Sequence, residues 1–111
     1  MAATPPVADT GPQVLQVNLS TVFTLCRDVG AYMLTRQPKG SPPHRGSIIN
    51  IASLTTFQGA FNIPAYAASK GGVGQLTKAL SNQWAGNGIN VNAVCRNMRI
   101  FGCTRIPWLM M

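Results

Sequence analysis

SLTTFQGAFNIPAYAASK, residues Ser53 to Lys70, joins an apolar β-branched run to a long helical pattern, and the fold turns on how it is read. It carries a serine, then Tyr66 thirteen residues later, then Lys70 four residues after that. Helical residues four apart lie on one face, so Tyr66 and Lys70 share a side. Ser53 falls where the preceding strand ends, the edge at which parallel α/β sheets gather their chemistry. A phenol, an ammonium group and a hydroxyl converging on one crevice suit acid–base work on an alcohol or ketone.

Just upstream, Ser47 to Ala52 (SIINIA) is bounded by Gly46 and Ser53 and is nearly all apolar. That pattern predicts a buried parallel strand. Downstream, a helix is expected from about Ala65 to Ala85. Val73, Leu76, Leu80 and Trp84 form its apolar stripe, with Thr77 and Ala79 beside it. Gly86, Asn87 and Gly88 stop that helix. Ile89 to Val94 (INVNAV) alternates and reads as a second strand, so strand, helix and strand make one right-handed βαβ unit.

Before the first strand, Leu19, Val22, Phe23, Cys26, Gly30 and Met33 recur at helical spacing from about Gln13 onward. Pro38, Gly40, Pro42 and Pro43 turn Thr35 to Arg45 into an exposed loop. His44, the only histidine, lies in that loop and is expected to be solvated rather than a ligand. Met1 to Pro12 reads as a loose leader. Arg96 to Met111 has neither period nor cap and presents Phe101, Trp108 and Leu109 without an evident place to bury them.

With 111 residues there is room for one small domain, and 46% apolar against 10% charged content is globular rather than disordered. The formal charge of +7 reflects scarce acid, only Asp9 and Asp28, as much as abundant base. The basic residues are scattered and not interleaved with aromatics, which argues against a nucleic-acid partner. No apolar run reaches membrane-spanning length, so no membrane partner is expected. Cys26, Cys95 and Cys103 lack metal-ligand spacing, no signal peptide is evident, and a reducing, cytoplasmic setting is expected.

Free tyrosine has a pKa of about 10, and bringing it to about 7 takes roughly 4 kcal/mol of differential stabilisation. A lysine one turn away supplies part of that, and the positive charge of an oxidised nicotinamide more. A Tyr–Lys pair alone is usually a helix-surface contact; Ser53 at the end of a strand sharpens it. Gly71 and Gly72 inside the helix each cost about 1 kcal/mol relative to alanine. They point to close approach by a ligand or to tight helix–helix packing.

Four blocks together resemble the middle of a short-chain dehydrogenase/reductase: VNLSTVF (Val17 to Phe23), GSIINIAS (Gly46 to Ser53), PAYAASKGGVGQLTKALSNQWA (Pro64 to Ala85) and GINVNAV (Gly88 to Val94). Within that family the block IINIASLTTFQGAFNIPAYAASK is most similar to the 2-deoxy-D-gluconate 3-dehydrogenases and related sugar-acid or polyol oxidoreductases. The resemblance covers about two-thirds of the chain. It implies an α/β fold, a partial Rossmann-like fragment running helix–strand–helix–strand with parallel strands. It further implies an NAD- or NADP-dependent oxidoreductase acting on a hydroxyl or carbonyl of a small molecule. By this resemblance Asn18 helps hold a proton-relay water and Ser53 orients the substrate. Tyr66 is the catalytic acid/base, and Lys70 binds the nicotinamide ribose. The two long helices are implied to pair in a homo-oligomer; a non-catalytic fragment dimerising through those helices is the alternative function.

The family's glycine-rich pyrophosphate turn precedes these blocks, and no such turn stands here. After INVNAV, Cys95, Arg96 and Asn97 replace the family's Pro-Gly continuation. The chain is therefore expected to be truncated at both ends. Residues 1–12 would be a leader, residues 13–95 the central and C-terminal part of a Rossmann domain, and residues 96–111 an unrelated tail, such as a shifted frame or retained intron would produce. Poor or no dinucleotide binding, marginal stability and a tendency to associate are expected of it.

Overall fold

The computed structural model describes residues 10–59 and 63–96. The expected leader up to residue 9, the tail beyond Arg96 and three residues of the loop before the long helix lie outside the described residues.

Helix, strand, helix and strand follow in the expected order. The first helical run has three parts: α1 (Gly11–Leu15), a π-helical turn (Gln16–Ser20) and α2 (Thr21–Thr35). It begins at Gly11, inside the stretch expected as a leader, because Pro12 lies in the first turn, where its missing N–H is no loss. The π turn has no signature in the periodicity. The Thr21 N–H reaches back to the Gln16 carbonyl, and the Thr21 hydroxyl donates to the same oxygen at 2.7 Å. This widens the helix around Asn18. The run stops at Thr35, where Arg36 turns extended (ψ 149°) two residues before Pro38.

Strands β1 (Gly46–Ser53) and β2 (Ile89–Arg96) pair in parallel, from Gly46 opposite Ile89 to Ser53 opposite Arg96. Helix α3 (Pro64–Trp84) connects them, again with proline in its first turn. A 3₁₀ turn (Ala85–Asn87) and Gly88, at φ 77°, return the chain to β2. That left-handed cap is the stop signal carried by Gly86–Gly88. A side chain at Gly88 would also meet the Pro43 carbonyl, 2.6 Å from its Cβ position.

Both helices cover one face of the sheet. Ala52, Val73 and Ala93 form one apolar cluster there, with Leu19, Val22 and Cys95 against it; Trp84, Ile89 and Val91 form the second, with Met33, Ile48 and Leu80. The opposite face is bare among the described residues: Ile49 is 63% exposed, Ile51 61% and Val94 44%. The expectation that β1 is buried on both faces is corrected accordingly, because no described element packs on that side. Phe23 (49% exposed) leaves the stripe expected to hold it, and Ala79, expected beside the α3 stripe, is exposed. Each lies to one side of its helix's buried line, Cys26 and Gly30 on α2 and Val73, Thr77 and Trp84 on α3.

Glycines set how closely these layers meet. A Cβ on Gly72 would come within 2.7 Å of the Leu19 side chain, so this glycine admits helix–helix contact. Gly71 has only ordinary clearance, with the Thr56 carbonyl at 3.9 Å. Gly30 receives the Trp84 indole edge, and a Cβ there would overlap the ring.

Candidate active site

Tyr66 and Lys70 occupy the first two turns of α3 and are both half-buried. The Lys70 ammonium lies 5.8 Å from the centroid of the Tyr66 ring, within cation–π range. It also donates to the Ile51 carbonyl of β1 at 2.9 Å, which ties the helix to the strand. The shared face expected from the four-residue spacing is present.

Asn18 reaches the same turn through a residue that sequence reasoning passed over. Its side-chain amide donates to the Ser69 hydroxyl at 3.2 Å, and that hydroxyl donates to the Tyr66 carbonyl at 2.7 Å. Ser69 is fully buried. The only sequence signal for it was a small polar residue between Tyr66 and Lys70, which the run of small residues around it masked. Asn18 and Lys70 also line one groove of about 340 Å³ along the edge of β1, together with Val22, Leu25, Cys26 and Ile49.

Ser53 ends β1 as expected and is 4% exposed. Its hydroxyl accepts the Thr55 N–H at 3.4 Å, while the Thr56 hydroxyl accepts the Ser53 N–H at 3.2 Å, a capping box for the short turn Leu54–Thr56. Thr56 then donates to the Lys70 carbonyl at 2.9 Å. Ser53 is thus coupled to α3 through Thr56, and among the described residues no hydrogen bond joins it to Tyr66.

A second buried polar chain lies behind the groove. The Cys26 thiol donates to Asn50 Oδ1 (3.4 Å), Asn50 Nδ2 donates to Thr77 Oγ1 (3.1 Å), and Thr77 donates to the Val73 carbonyl (2.8 Å). It ties α2, β1 and α3 together. Burial pushes the Cys26 thiol pKa up, against a smaller lowering by Asn50. His44 contacts Ser47 at 3.3 Å, and no metal-binding group of three or more His, Cys, Asp or Glu occurs among the described residues.

The half-buried Tyr66–Lys70 face fits the nicotinamide-ribose end of NAD or NADP, because it offers a phenol and an ammonium group beside an open groove. β1 does not run into a glycine-rich turn at a helix N-terminus. The turn after β1 is a 3₁₀ segment, Leu54–Thr56, capped by its own side chains. The described residues therefore fit one end of a dinucleotide and hold no cradle for its pyrophosphate. No described helix is long and apolar enough to cross a membrane.

Comparison with known proteins extends the resemblance carried by the four sequence blocks. The chain is 51% identical over 86 residues to a 2-dehydro-3-deoxy-D-gluconate 5-dehydrogenase from Pseudoalteromonas atlantica, covering 78% of this chain and 31% of that protein. A gluconate 5-dehydrogenase from Burkholderia cenocepacia, solved with NADP and tartrate, superposes with TM-score 0.70 at 33% identity, over 85% of this chain and 37% of that one. An Agrobacterium tumefaciens structure with bound NADP, provisionally named a 2-deoxy-D-gluconate 3-dehydrogenase, gives TM-score 0.68 at 36% identity over 86% and 39%. The chain thus spans about a third of the length of the relatives it matches. The sequence model of the short chain dehydrogenases matches residues 7–98, a span that holds both helices, both strands and the Tyr66–Lys70 face, and the chain belongs to that family.

Proposed function

We propose that this chain serves NAD- or NADP-dependent hydride exchange at a hydroxyl or carbonyl of a sugar acid, polyol or similar small molecule. The observation that carries the reading is the Tyr66–Lys70 face, with Asn18 pinned to the same turn through Ser69. The dinucleotide supplies the hydride acceptor or donor when bound. Tyr66 passes the proton at the substrate oxygen, Lys70 holds the ribose hydroxyls, Ser53 orients the substrate oxygen, and Asn18 helps hold a relay water. The names of the relatives favour a 2-dehydro-3-deoxy-gluconate type of substrate, and the solved relatives favour NADP.

A homo-oligomer pairing through the helices is part of this reading, supported by Phe23, Leu25 and Tyr32, exposed on α2. A reducing, cytoplasmic setting is supported by the thiols of Cys26 and Cys95, which form no disulfide among the described residues. The extent of the Rossmann-derived segment, residues 13–95, and the separate origin of residues 96–111 belong to the same proposal.

The test is turnover of gluconate-type substrates at saturating NAD(H) and NADP(H), followed by nicotinamide absorbance. Tyr66→Phe is expected to lower turnover by about 10²-fold or more, the scale of a lost general acid–base group. Unchanged turnover in Tyr66→Phe, or none in the native chain at saturating cofactor, overturns the reading. Light scattering decides the oligomer, and a strict monomer removes it.

A further inference from the structure

The junction between α3 and β2 carries the Asn–Gly pair Asn87–Gly88, which the candidate active site does not use. Asn–Gly is the dipeptide most open to deamidation, because glycine places no side chain in the way of the attacking backbone nitrogen. Here the peptide group between the two residues is held at both ends. The Asn87 carbonyl accepts Arg45 Nη1 at 2.7 Å, and the Gly88 N–H donates to the Ala85 carbonyl at 3.1 Å. The next peptide is held too, since the Arg45 N–H donates to the Gly88 carbonyl at 2.7 Å. Arg45 Nε is anchored on the Arg36 carbonyl at 3.0 Å, which fixes the guanidinium against the turn.

We propose that Asn87 is a deamidation site gated by the Arg45 clasp. In the reaction the Gly88 nitrogen, losing its proton, attacks the Asn87 side-chain carbonyl carbon to give a tetrahedral adduct. Its C–NH2 bond then breaks, the departing nitrogen takes up a proton and leaves as ammonia, and a five-membered succinimide remains. Water then opens the ring at either carbonyl, giving aspartate or isoaspartate. Attack requires the 87–88 peptide to rotate, which the Arg45 clasp on the Asn87 carbonyl opposes, and its nitrogen to be free, which the bond to the Ala85 carbonyl opposes. Modification therefore proceeds from local openings of the turn rather than from the closed form. Its products bear on the fold. Isoaspartate lengthens the backbone by one methylene two residues before Ile89, a core residue with no exposed surface that pairs with Gly46. Aspartate instead adds a carboxylate on the residue whose backbone carbonyl Arg45 holds, in a chain whose other acids are Asp9 and Asp28.

The test incubates the full chain, its Arg45→Met variant and a synthetic peptide of residues 83–92 in mildly alkaline buffer. Mass gain of about one dalton and isoaspartate are then mapped to position 87. The native chain is expected to deamidate at least tenfold more slowly than the peptide, and Arg45→Met, which keeps an apolar stem but no donors, to recover most of that difference. Circular dichroism checks that Arg45→Met is folded. If it is not, Arg45→Lys decides, with a faster rate than the native chain supporting the gate. Equal rates in native chain and peptide, a folded Arg45 variant no faster than the native chain, or no modification at 87 even in the peptide overturns the proposal.

Discussion

Cys26 lines the groove beside the candidate active site, yet its surroundings make it an inert thiol. It is 3% exposed, and burial holds its pKa above the ordinary value. Iodoacetamide is expected to alkylate Cys95, which is less buried, well before Cys26, as peptide mass spectrometry would show. The sign for stability follows from the raised folded pKa. The contribution of Cys26 is full below the ordinary thiol range, about 8.5, and is lost as the pH rises from there through the raised folded value. Urea midpoints should therefore fall on the alkaline side, and Cys26→Ser should change that slope. Gly30 is the other decisive single residue. A methyl group there overlaps the Trp84 ring, so Gly30→Ala is expected to cost about 1–3 kcal/mol as the indole is displaced. Trp84 fluorescence in a Trp108→Phe background would move to longer wavelength.

Among the elements, β1 does the most joining. Asn50 was visible in the sequence only as the polar break in SIINIA, and its role depends on what packs above it. It sits under both helices, 7% exposed, bonded to Cys26 on α2 and Thr77 on α3. Asn50→Ala leaves the Thr77 hydroxyl one partner short and opens a void, and is expected to cost about 1–3 kcal/mol. The adjacent apolar position Ile48 offers a contrast, since Ile48→Val should cost only about 0.5–1.5 kcal/mol. Chemical denaturation of the two variants checks the ranking. The boundaries of α3 and of both strands were legible to within about two residues, because apolar spacing and the Gly86–Gly88 stop act locally. The π turn at Asn18 was not legible, because it depends on the Thr21 hydroxyl and on a distant partner, Ser69.

For the described molecule as a whole, coverage is one-sided. A two-stranded sheet with helices on one face leaves a row of apolar side chains, Ile49, Ile51 and Val94, facing outward. β1 carries no charged residue or proline to discourage edge pairing. Beyond the proposed pairing of helices, further aggregation at high concentration is expected to run through this face and edge. Ile49→Lys should lower the scattering of concentrated samples, and an unchanged scattering curve would count against the idea. The formal charge of +7 opposes association at low salt, so scattering should rise as salt is added.

By itself the sequence determined the element order, the parallel βαβ unit, the family and the pairing of Tyr66 with Lys70. The elements and the pairing rest on periodicity and on residues one helical turn apart, which the local backbone enforces, and the family rests on the likeness of whole sequence blocks. The tertiary structure alone decided which face of β1 is covered, that Ser69 bridges Asn18 to Tyr66, that the Ser53 hydroxyl accepts from its own turn, and that Arg45 clamps Asn87–Gly88. Each of these depends on groups brought together by packing or on a choice among local hydrogen-bond partners, and spacing along the chain encodes neither.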